Sequence, residues 1–178
     1  MQKKIEKRSA AATQKRILTA AKKAFARKGL GGARVDEIAL SANANKRMIY
    51  HYFGDKENLF LRVLEDAYID IRQAEQSLEL DSLPPKEALD KLVQFTWQYY
   101  ISNPEFITLV NSENLHRARH LKKSKIIEHT NQQLTSLVEK LLERGVNEGV
   151  FREGIDPVQL NITIAAIGYY YLTNRYTG

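Results

Sequence analysis

Glu113, His116 and His120 carry carboxylate and imidazole groups, whose chemistry suits metal binding or proton transfer. They stand at positions i, i+3 and i+7, so a helix through residues 112–121 would carry all three on one face. A metal site between helices usually needs a second acidic motif on a facing helix, and the sequence offers none. Four neighbouring cations would also repel a metal ion: Arg117, Arg119, Lys122 and Lys123. We therefore predict no metal site and interpret the histidines as surface or interface side chains.

Other residues with enzymatic potential lack the spacing that their chemistry needs. There is no Gly-Lys-Ser/Thr phosphate loop and no nucleophile elbow. Gly29, Gly31 and Gly32 stand too close together, with no preceding strand, to form a nucleotide-binding loop. The chain has no cysteine, which excludes disulfides, thiol catalysis and cysteine metal sites. We predict that the protein is not an enzyme and has no cofactor; an enzyme built on a helical bundle is the alternative.

The charge distribution favours a polyanionic partner. The chain has 178 residues and a net charge of +6, but residues 1–56 hold 14 Lys or Arg against four Asp or Glu. The first third therefore carries an excess of +10, and the remainder is net acidic. Such a concentration indicates a nucleic-acid surface, whereas a set of solvated lysines without a partner is the alternative. Residues 1–12 are basic without periodicity, and we interpret them as a mobile arm near DNA or a frayed helix start.

The residues from Arg34 to Phe53 predict two short helices joined by a tight turn. The first helix has an apolar face at helical spacing: Val35, Ile38 and Ala39. Asn43 can adopt the left-handed conformation that such a turn often needs, and Asn45 can cap a second helix over 46–52. In the second helix three side chains can face inward: Met48, Ile49 and Tyr52. This arrangement is typical of a helix-turn-helix, whose second helix enters the DNA major groove.

The outer face of this second helix is cationic and polar. We predict base-edge contacts from Lys46, Arg47 and His51, with Arg47 the best candidate for bidentate reading of guanine. The complete predicted DNA-binding set is Arg34, Asn45, Lys46, Arg47, Met48, Tyr50, His51 and Lys56. In this set Asn45, Tyr50 and Lys56 are expected to hold phosphates. Arg34 stands where a capping hydroxyl would help, so it either contacts a phosphate or is a plain surface arginine.

Four segments stand in order within about the first 60 residues: Thr13–Gly29, Val35-Asp-Glu-Ile-Ala39, Asn45-Lys-Arg-Met-Ile-Tyr-His-Tyr-Phe53 and Asp55-Lys-Glu-Asn-Leu59. Together they resemble the N-terminal DNA-binding domain of TetR-type bacterial transcriptional regulators. The sequence departs from the usual family pattern at the turn, at the start of the first of the two helices, and within the recognition helix. Those departures are Asn43-Ala44 for Gly-Val, Arg34 for Thr, and Arg47-Met48 for a small residue followed by Thr.

The resemblance implies a dimeric regulator, most often a repressor, that binds a near-palindromic operator in double-stranded DNA and is released by a small-molecule ligand. It also implies that Lys56 touches the DNA backbone and that the helix beginning at Asp55 links DNA-binding and effector domains. A DNA-binding regulator without a ligand, controlled by its abundance or by a protein partner, is the alternative. Regulators of this type usually continue for another helix, and the sequence leaves open whether a further segment follows Gly178.

Helical periodicity extends along the whole sequence and predicts an all-α fold. Residues 9–54 are expected to form a three-helix DNA-binding domain, with Thr13 capping the first helix and Gly29 ending it. Residues 55–178 are expected to form the effector and dimerisation domain. Its predicted helices cover about 55–77, 85–102, 104–111, 112–121, 124–147 and 157–175. Asn103 is expected to cap the helix that begins at Pro104.

A set of aromatic and amide side chains in the effector domain could line an apolar pocket with a few polar groups. The candidate ligand-binding residues are Trp97, Tyr100, Phe106, Asn111, Asn114, His116 and Tyr169, with Tyr170 nearby. The alternative interpretation is that these side chains form ordinary core and dimer contacts.

The last helix is apolar on nearly all sides, which predicts burial against a partner subunit. We expect a homodimer through the helices near 124–147 and 156–175. The leading interface candidates are Leu134, Leu141, Ile164 and Ile167, some of which must face their own core. No apolar run reaches the roughly 18 residues of a membrane span, and the N-terminus lacks the apolar core of a signal peptide. We therefore expect a cytoplasmic protein without a membrane partner.

Overall fold

The computed structural model describes residues 2–177, with side chains from residue 10 onward. Within residues 2–177 all regular secondary structure is helical, which confirms the predicted fold class. The helices are α1 (Gln2–Gly32), α2 (Val35–Ser41), α3 (Lys46–Phe53), α4 (Lys56–Gln76), α5 (Pro85–Ser102), α6 (Pro104–Leu115), α7 (Lys125–Asn147) and α8 (Pro157–Asn174). Two short 3-10 helices lie at Leu80–Ser82 and Leu121–Lys123. None of these helices is both long enough and apolar enough to cross a membrane.

The chain divides into two compact units. The first unit comprises Met1–Asp66 and Thr108–Ser124, and the second comprises Ala67–Ile107 and Lys125–Gly178. Residues 108–124 thus group with the N-terminal helices in this division. The functional assignment of a DNA-binding domain to 9–54 and an effector domain to 55–178 stays a prediction.

The core of the first unit joins α1 to the helices that follow it. Its largest fully buried side chains from these helices are Ile17, Phe25, Ile38, Ile49, Leu59, Phe60 and Leu64. Phe25 and Phe60 meet edge to face, with ring centroids 5.1 Å apart. Ile49 is the only residue of α3 that is fully buried, so one apolar side chain fixes this short helix against the core.

The start of α1 differs from the prediction, whereas the interruption of the helix at Gly29 agrees with it. It begins at Gln2, so Thr13 is no N-cap; its side chain is buried and accepts a hydrogen bond from Arg16 Nη2 at 3.2 Å. Gly29 interrupts the helix at φ 66° and ψ 176°, a conformation that side-chain-bearing residues rarely adopt. The basic side chains of residues 2–9 lie outside the described side chains, so their predicted DNA contacts stay a prediction.

The predicted helix through residues 112–121 is wrong. Helix α6 ends at Leu115, and Arg117 and Ala118 take left-handed backbone angles of φ 58° and 56°. The Ala118 N–H donates to the Glu113 carbonyl at 3.1 Å, in the pattern that terminates helices. The Glu113 carboxylate then accepts from the backbone N–H groups of His120 and Leu121 at 2.8 and 3.1 Å. These two hydrogen bonds to a buried carboxylate stabilise the reversal of the chain after α6.

Asn103 closes the end of α5. Its side-chain amide donates to the Tyr99 carbonyl at 2.9 Å, and the predicted capping of α6 by Asn103 stays a prediction. Pro104 nevertheless occupies the first position of α6 as predicted.

The core of the second unit packs α5, α7 and α8 around the Leu80–Ser82 turn. Its buried cluster comprises Leu80, Ala88, Leu92, Leu134, Val138, Leu141, Leu142 and Ile164. Leu134, Leu141 and Ile164 therefore pack inside their own subunit, and the prediction that they lie at a dimer interface is wrong. The helix period left their direction open, and only the packing of α7 on α5 and α8 decides it. Gly168 lets α8 approach α5 closely, since a Cβ there would lie 2.9 Å from the Tyr100 ring.

Helix α8 leaves a wide apolar face uncovered. Its exposed large apolar side chains are Val158, Ile162, Ile167, Tyr170 and Tyr171. Ile167 alone among the four predicted interface residues belongs to this face, with 64% of its surface exposed. Scattered exposed apolar residues are common, but a contiguous set along one helix indicates an interaction surface.

Candidate nucleic-acid interface

Local hydrogen bonds hold the turn between α2 and α3 in a defined shape. Asn43 adopts the expected left-handed conformation at φ 47°, and the Ala44 N–H donates to the Ala39 carbonyl at 3.0 Å. Asn45 caps α3 as predicted, because its side-chain oxygen accepts from the Met48 N–H at 2.9 Å. Arg16 Nε reaches from α1 to the Ala42 carbonyl at 3.1 Å. Backbone and side chains together therefore fix the direction in which α3 points.

The outward face of α3 is the exposed, cationic and polar surface that the sequence predicts. Five of its side chains are exposed: Lys46, Arg47, Met48, Tyr50 and His51. Met48 is 38% exposed, so the expectation that it faces inward is wrong. Ile49 on the opposite side is completely buried, so this short helix presents its polar side to solvent and a single fully buried residue to the core. Such a face can make both base and phosphate contacts.

Lys46 and Arg47 differ in what they contact within the chain. Lys46 Nζ lies 3.1 Å from Asp36 Oδ1 of α2, and this hydrogen bond raises the pKa of Lys46 above its usual value. Of the ion pairs between described side chains, none involves Arg47. If both residues contact DNA as predicted, Lys46 would have to exchange Asp36 for DNA, whereas the Arg47 guanidinium has its donors available for a base edge.

The two predicted contacts that flank α3 occupy helix starts. Arg34 is exposed at the N-cap position of α2 and makes no side-chain cap, in agreement with the lost capping hydroxyl. Lys56 is the first residue of α4, and its Nζ donates to the Ala33 carbonyl at 3.2 Å. An ammonium has three N–H donors, so this bond leaves others for a phosphate. Asp55 caps α4 as predicted, accepting from the Asn58 N–H at 2.7 Å.

The predicted ligand residues fall into both units. In the second unit Tyr100 and Phe106 are buried and stacked, with ring centroids 5.9 Å apart. Trp97 lies 5.1 Å from the ring of Tyr171 and is 37% exposed, and Tyr169 is half-buried. Burial raises the pKa of Tyr100 to about 12. Tight packing of Tyr100 and Phe106 matches the alternative interpretation of these residues as core.

The other three predicted ligand residues, Asn111, Asn114 and His116, belong to the first unit. Nearby, Glu113 is completely buried and its Oε2 lies 2.6 Å from His120 Nδ1. The His116 and His120 rings are 6.0 Å apart. Among the side chains from residue 10 onward, no group of three acidic or histidine residues could hold a metal. The Glu113–His120 pair thus fastens a loop.

A cleft lined by apolar and polar side chains lies in the second unit, and none of its lining residues was among the ligand residues predicted from the sequence. The cleft has a volume of about 410 Å³ and lies between the end of α4, the Leu80–Ser82 turn and α7. Arg72 and Glu75 form part of its wall although both are almost fully buried. The signal was present, since Glu75 continues the apolar stripe of Leu64, Tyr68 and Ile71 at helical spacing.

Comparison with known proteins adds family evidence to this geometry. Residues 17–63 match the family described as bacterial regulatory proteins, tetR family, and residues 85–178 match the tetracyclin repressor-like C-terminal domain. The HTH-type transcriptional repressor NicS of Pseudomonas putida is 41% identical over 165 residues, covering 93% of this chain and 78% of NicS.

Two solved structures have the same fold. The transcriptional regulator SCO4942 of Streptomyces coelicolor superposes with a TM-score of 0.71 at 26% identity, over 92% of this chain and 81% of that one. The regulator FadR of Bacillus subtilis, solved in complex with stearoyl-CoA, gives a TM-score of 0.71 at 17% identity, over 92% of this chain and 89% of FadR.

Proposed function

Because this chain belongs to the TetR family of bacterial regulatory proteins, we propose that it is a dimeric repressor, bound to a near-palindromic operator and released by a small-molecule ligand. The family and its relatives make the protein a transcriptional regulator and not an enzyme. Since its partner is the chromosome, its place of action is the bacterial cytoplasm.

The observation that carries the DNA-binding proposal is the presentation of α3. A capped turn fixes the helix, Ile49 anchors it, and its opposite side offers Arg47 and Lys46 to solvent. The major groove admits an α-helix, and an unpaired arginine there can donate two hydrogen bonds to guanine. Lys56, Asn45 and Tyr50 lie beside α3 or on it and supply donors for phosphates, which set the orientation of the protein on DNA.

The dimer proposal rests on the exposed apolar face of α8. A second copy would cover Ile162, Ile167 and Tyr170 in an isologous contact, where each protomer offers the same surface. Two recognition helices related by a two-fold axis then read two half-sites about one helical turn apart, or a multiple of it. That geometry is why a near-palindromic operator is expected.

Release by a ligand is supported by FadR, a protein of the same fold that was solved with stearoyl-CoA. The coupling between the two sites is reciprocal: if the ligand lowers the affinity for DNA by some factor, DNA lowers the affinity for the ligand by the same factor. The packed pair Tyr100 and Phe106 favours the second candidate, a regulator controlled by its abundance or by a protein partner. The cleft beside Arg72 favours the first candidate, a repressor released by a small-molecule ligand.

The test of the DNA-binding proposal is a comparison of Arg47→Ala with wild type on operator and on scrambled DNA. Loss of a bidentate base contact should cost about 1–3 kcal/mol on the operator and relax the preference at one base position. Fluorescence anisotropy with labelled duplexes gives both affinities. Lys86→Ala, which removes an exposed cation from α5, is the matched control and should leave both affinities unchanged. If Arg47→Ala weakens both DNAs by the same factor, Arg47 is a phosphate contact and the assignment is wrong.

A further inference from the structure

The cleft beside Arg72 combines an apolar strip with hydrogen-bond donors. Leu134 and Leu137 of α7 supply the apolar part, and His129, Gln132 and Lys140 of the same helix supply polar groups. Its volume of about 410 Å³ lies in the range that small-molecule sites occupy. All of its lining residues belong to the second unit, and none of them is needed for the DNA contacts proposed above.

Arg72 is the unusual member of this lining. Only 8% of its surface is exposed, and its Nη1 lies 2.9 Å from Glu75 Oε2. Neither Nη1 nor Nε makes a hydrogen bond of acceptable geometry, although both atoms are buried. A buried guanidinium is costly unless its charge is paired and its N–H groups are satisfied. Arg72 also lies in the wall of the cleft, so an acceptor from outside the chain can reach these two covered atoms if the guanidinium turns toward the cleft.

Glu75 compensates this charge only in part. The Arg72 guanidinium lowers the pKa of the Glu75 carboxyl, but burial has the larger effect and raises that pKa to about 7. Near neutral pH a large share of the molecules therefore carries a neutral Glu75 beside a charged Arg72. The unsatisfied Nε and Nη1 donors of Arg72 and its incompletely neutralised charge together favour an anion as the ligand.

The charges around the cleft favour a singly charged anion. Lys140 adds one cation to Arg72, whereas Asp81 and the ionised share of Glu75 oppose them. Asp81 lies 3.7 Å from Arg144 Nη1, but it still faces the same cleft. A dianionic phosphate would meet too little positive charge, while a carboxylate matches the planar fork of the guanidinium. Leu134 and Leu137 can then pack against an apolar ligand body.

We propose that this cleft is the effector site and that it binds a small organic acid, with its carboxylate on Arg72 and its apolar part against Leu134 and Leu137. The inference rests on the proposed function, because it gives the chemical class of the ligand that acts on the regulator.

The test is binding of acetate, butanoate, hexanoate, octanoate and benzoate to the full chain, each compared with its primary amide. Thermal unfolding measures the effect, since a ligand that binds the folded state raises the melting temperature. At least one acid should raise it in a concentration-dependent manner, and its amide should not. The proposal would be overturned if no acid raises the melting temperature, or if an acid and its amide raise it equally. This test needs no variant.

Variants of the cleft test whether the acid binds at Arg72. Removing only Arg72 leaves Glu75 buried without its partner, so the double variant Arg72→Met, Glu75→Leu keeps the volume apolar and the fold intact. It should bind the active acid more weakly by on the order of tenfold or more, because a charge-assisted contact is lost. Arg62→Gln changes an exposed arginine of the same helix and should bind like wild type. Undiminished binding by the double variant would show that the acid sits elsewhere.

Operator titration of the same samples separates the two proposals. Normal operator binding without any acid binding refutes the site and leaves the DNA-binding function standing. Acid binding at Arg72 that leaves operator affinity unchanged establishes the site and refutes release by this ligand. Weakened operator binding in the presence of the acid, absent in the double variant, supports both.

Discussion

At the scale of single residues, the regulator places unlike cations side by side on α3. Lys46 is held by Asp36, and Arg47 extends into solvent. An exposed ion pair contributes little to stability, so DNA phosphates can displace Asp36 at small cost. In the proposed complex with DNA, the negative charge of Asp36 would nevertheless stay near the DNA surface and oppose binding.

Asp36→Asn should therefore tighten DNA binding. Removal of the competing carboxylate frees Lys46 and takes one negative charge from the proposed interface, with an expected gain in affinity. Affinities for the operator at two salt concentrations measure this gain, which should shrink as salt rises. Glu87→Gln, which removes an exposed carboxylate from α5, should not change the affinity. An unchanged or weaker affinity of Asp36→Asn would contradict the competition between Asp36 and DNA for Lys46.

Glu75 predicts a pH dependence of stability. Its pKa is raised by burial from 4.5 to about 7, so between these values the unfolded chain releases this proton and the folded chain keeps it. The free energy of unfolding should then fall as pH rises through this window, by up to about 3 kcal/mol. In Glu75→Gln this contribution is absent, so the variant should gain stability relative to wild type as pH rises.

Urea denaturation of both proteins at the two ends of this window gives the difference. Glu139→Gln, in an exposed position of α7, is the control and should follow wild type. A constant difference between Glu75→Gln and wild type across the window would show that Glu75 is ionised throughout.

At the scale of helices and turns, some features depend on neighbouring residues alone and others depend on contacts between residues further apart in the sequence. The caps by Asn45 and Asp55, the turn at Asn43 and the stop at Gly29 depend on a few neighbouring residues, and all four were predictable from the sequence. The end of α6 at Leu115 was not, because the side chain of Glu113 reaches backbone groups seven and eight residues away. Helical spacing alone cannot reveal such a contact.

The cap of α3 should influence both stability and DNA binding. Asn45→Ala removes the acceptor for the Met48 N–H and should cost about 0.5–2 kcal/mol of unfolding free energy. Because α3 has only eight residues, fraying of its first turn should also displace Lys46 and Arg47 and weaken operator binding. Chemical denaturation and anisotropy titration measure the two effects. Asn45→Ser, which can still cap, should restore stability; a failure to do so would mean that Asn45 acts otherwise than as a cap.

At the scale of the whole molecule, sequence patterns predict that a surface is present more reliably than they predict which residues form it. The apolar character of α8 correctly predicted an excess of apolar surface, but three of the four chosen residues lie in the core of their own unit. The predicted ligand residues likewise include the packed pair Tyr100 and Phe106, and they do not include Arg72, which lines a cleft. Which side of an apolar helix is covered depends on its neighbours in space, and the sequence does not list them.

Ile167→Asp should dissociate the dimer. Ile167 is 64% exposed on the apolar face of α8, so a charge there should not disturb the fold but would be buried without a partner in the interface. Light scattering should show a shift from dimer to monomer, and operator affinity should fall because two half-sites are no longer read together. Gln94→Asp adds the same charge to an exposed position of α5 and should remain dimeric. A dimer that survives Ile167→Asp would move the interface elsewhere.

The central claim is that α3 reads DNA as one of a two-fold related pair, and selection of binding sites from random duplex DNA tests it most directly. The enriched sites should share a near-palindrome whose half-sites lie about one helical turn apart, or a multiple of it. Selection with Arg47→Ala should lose the base preference at one position in each half-site while keeping the spacing. Enrichment of an asymmetric site, or of no sequence at all, would contradict the claim.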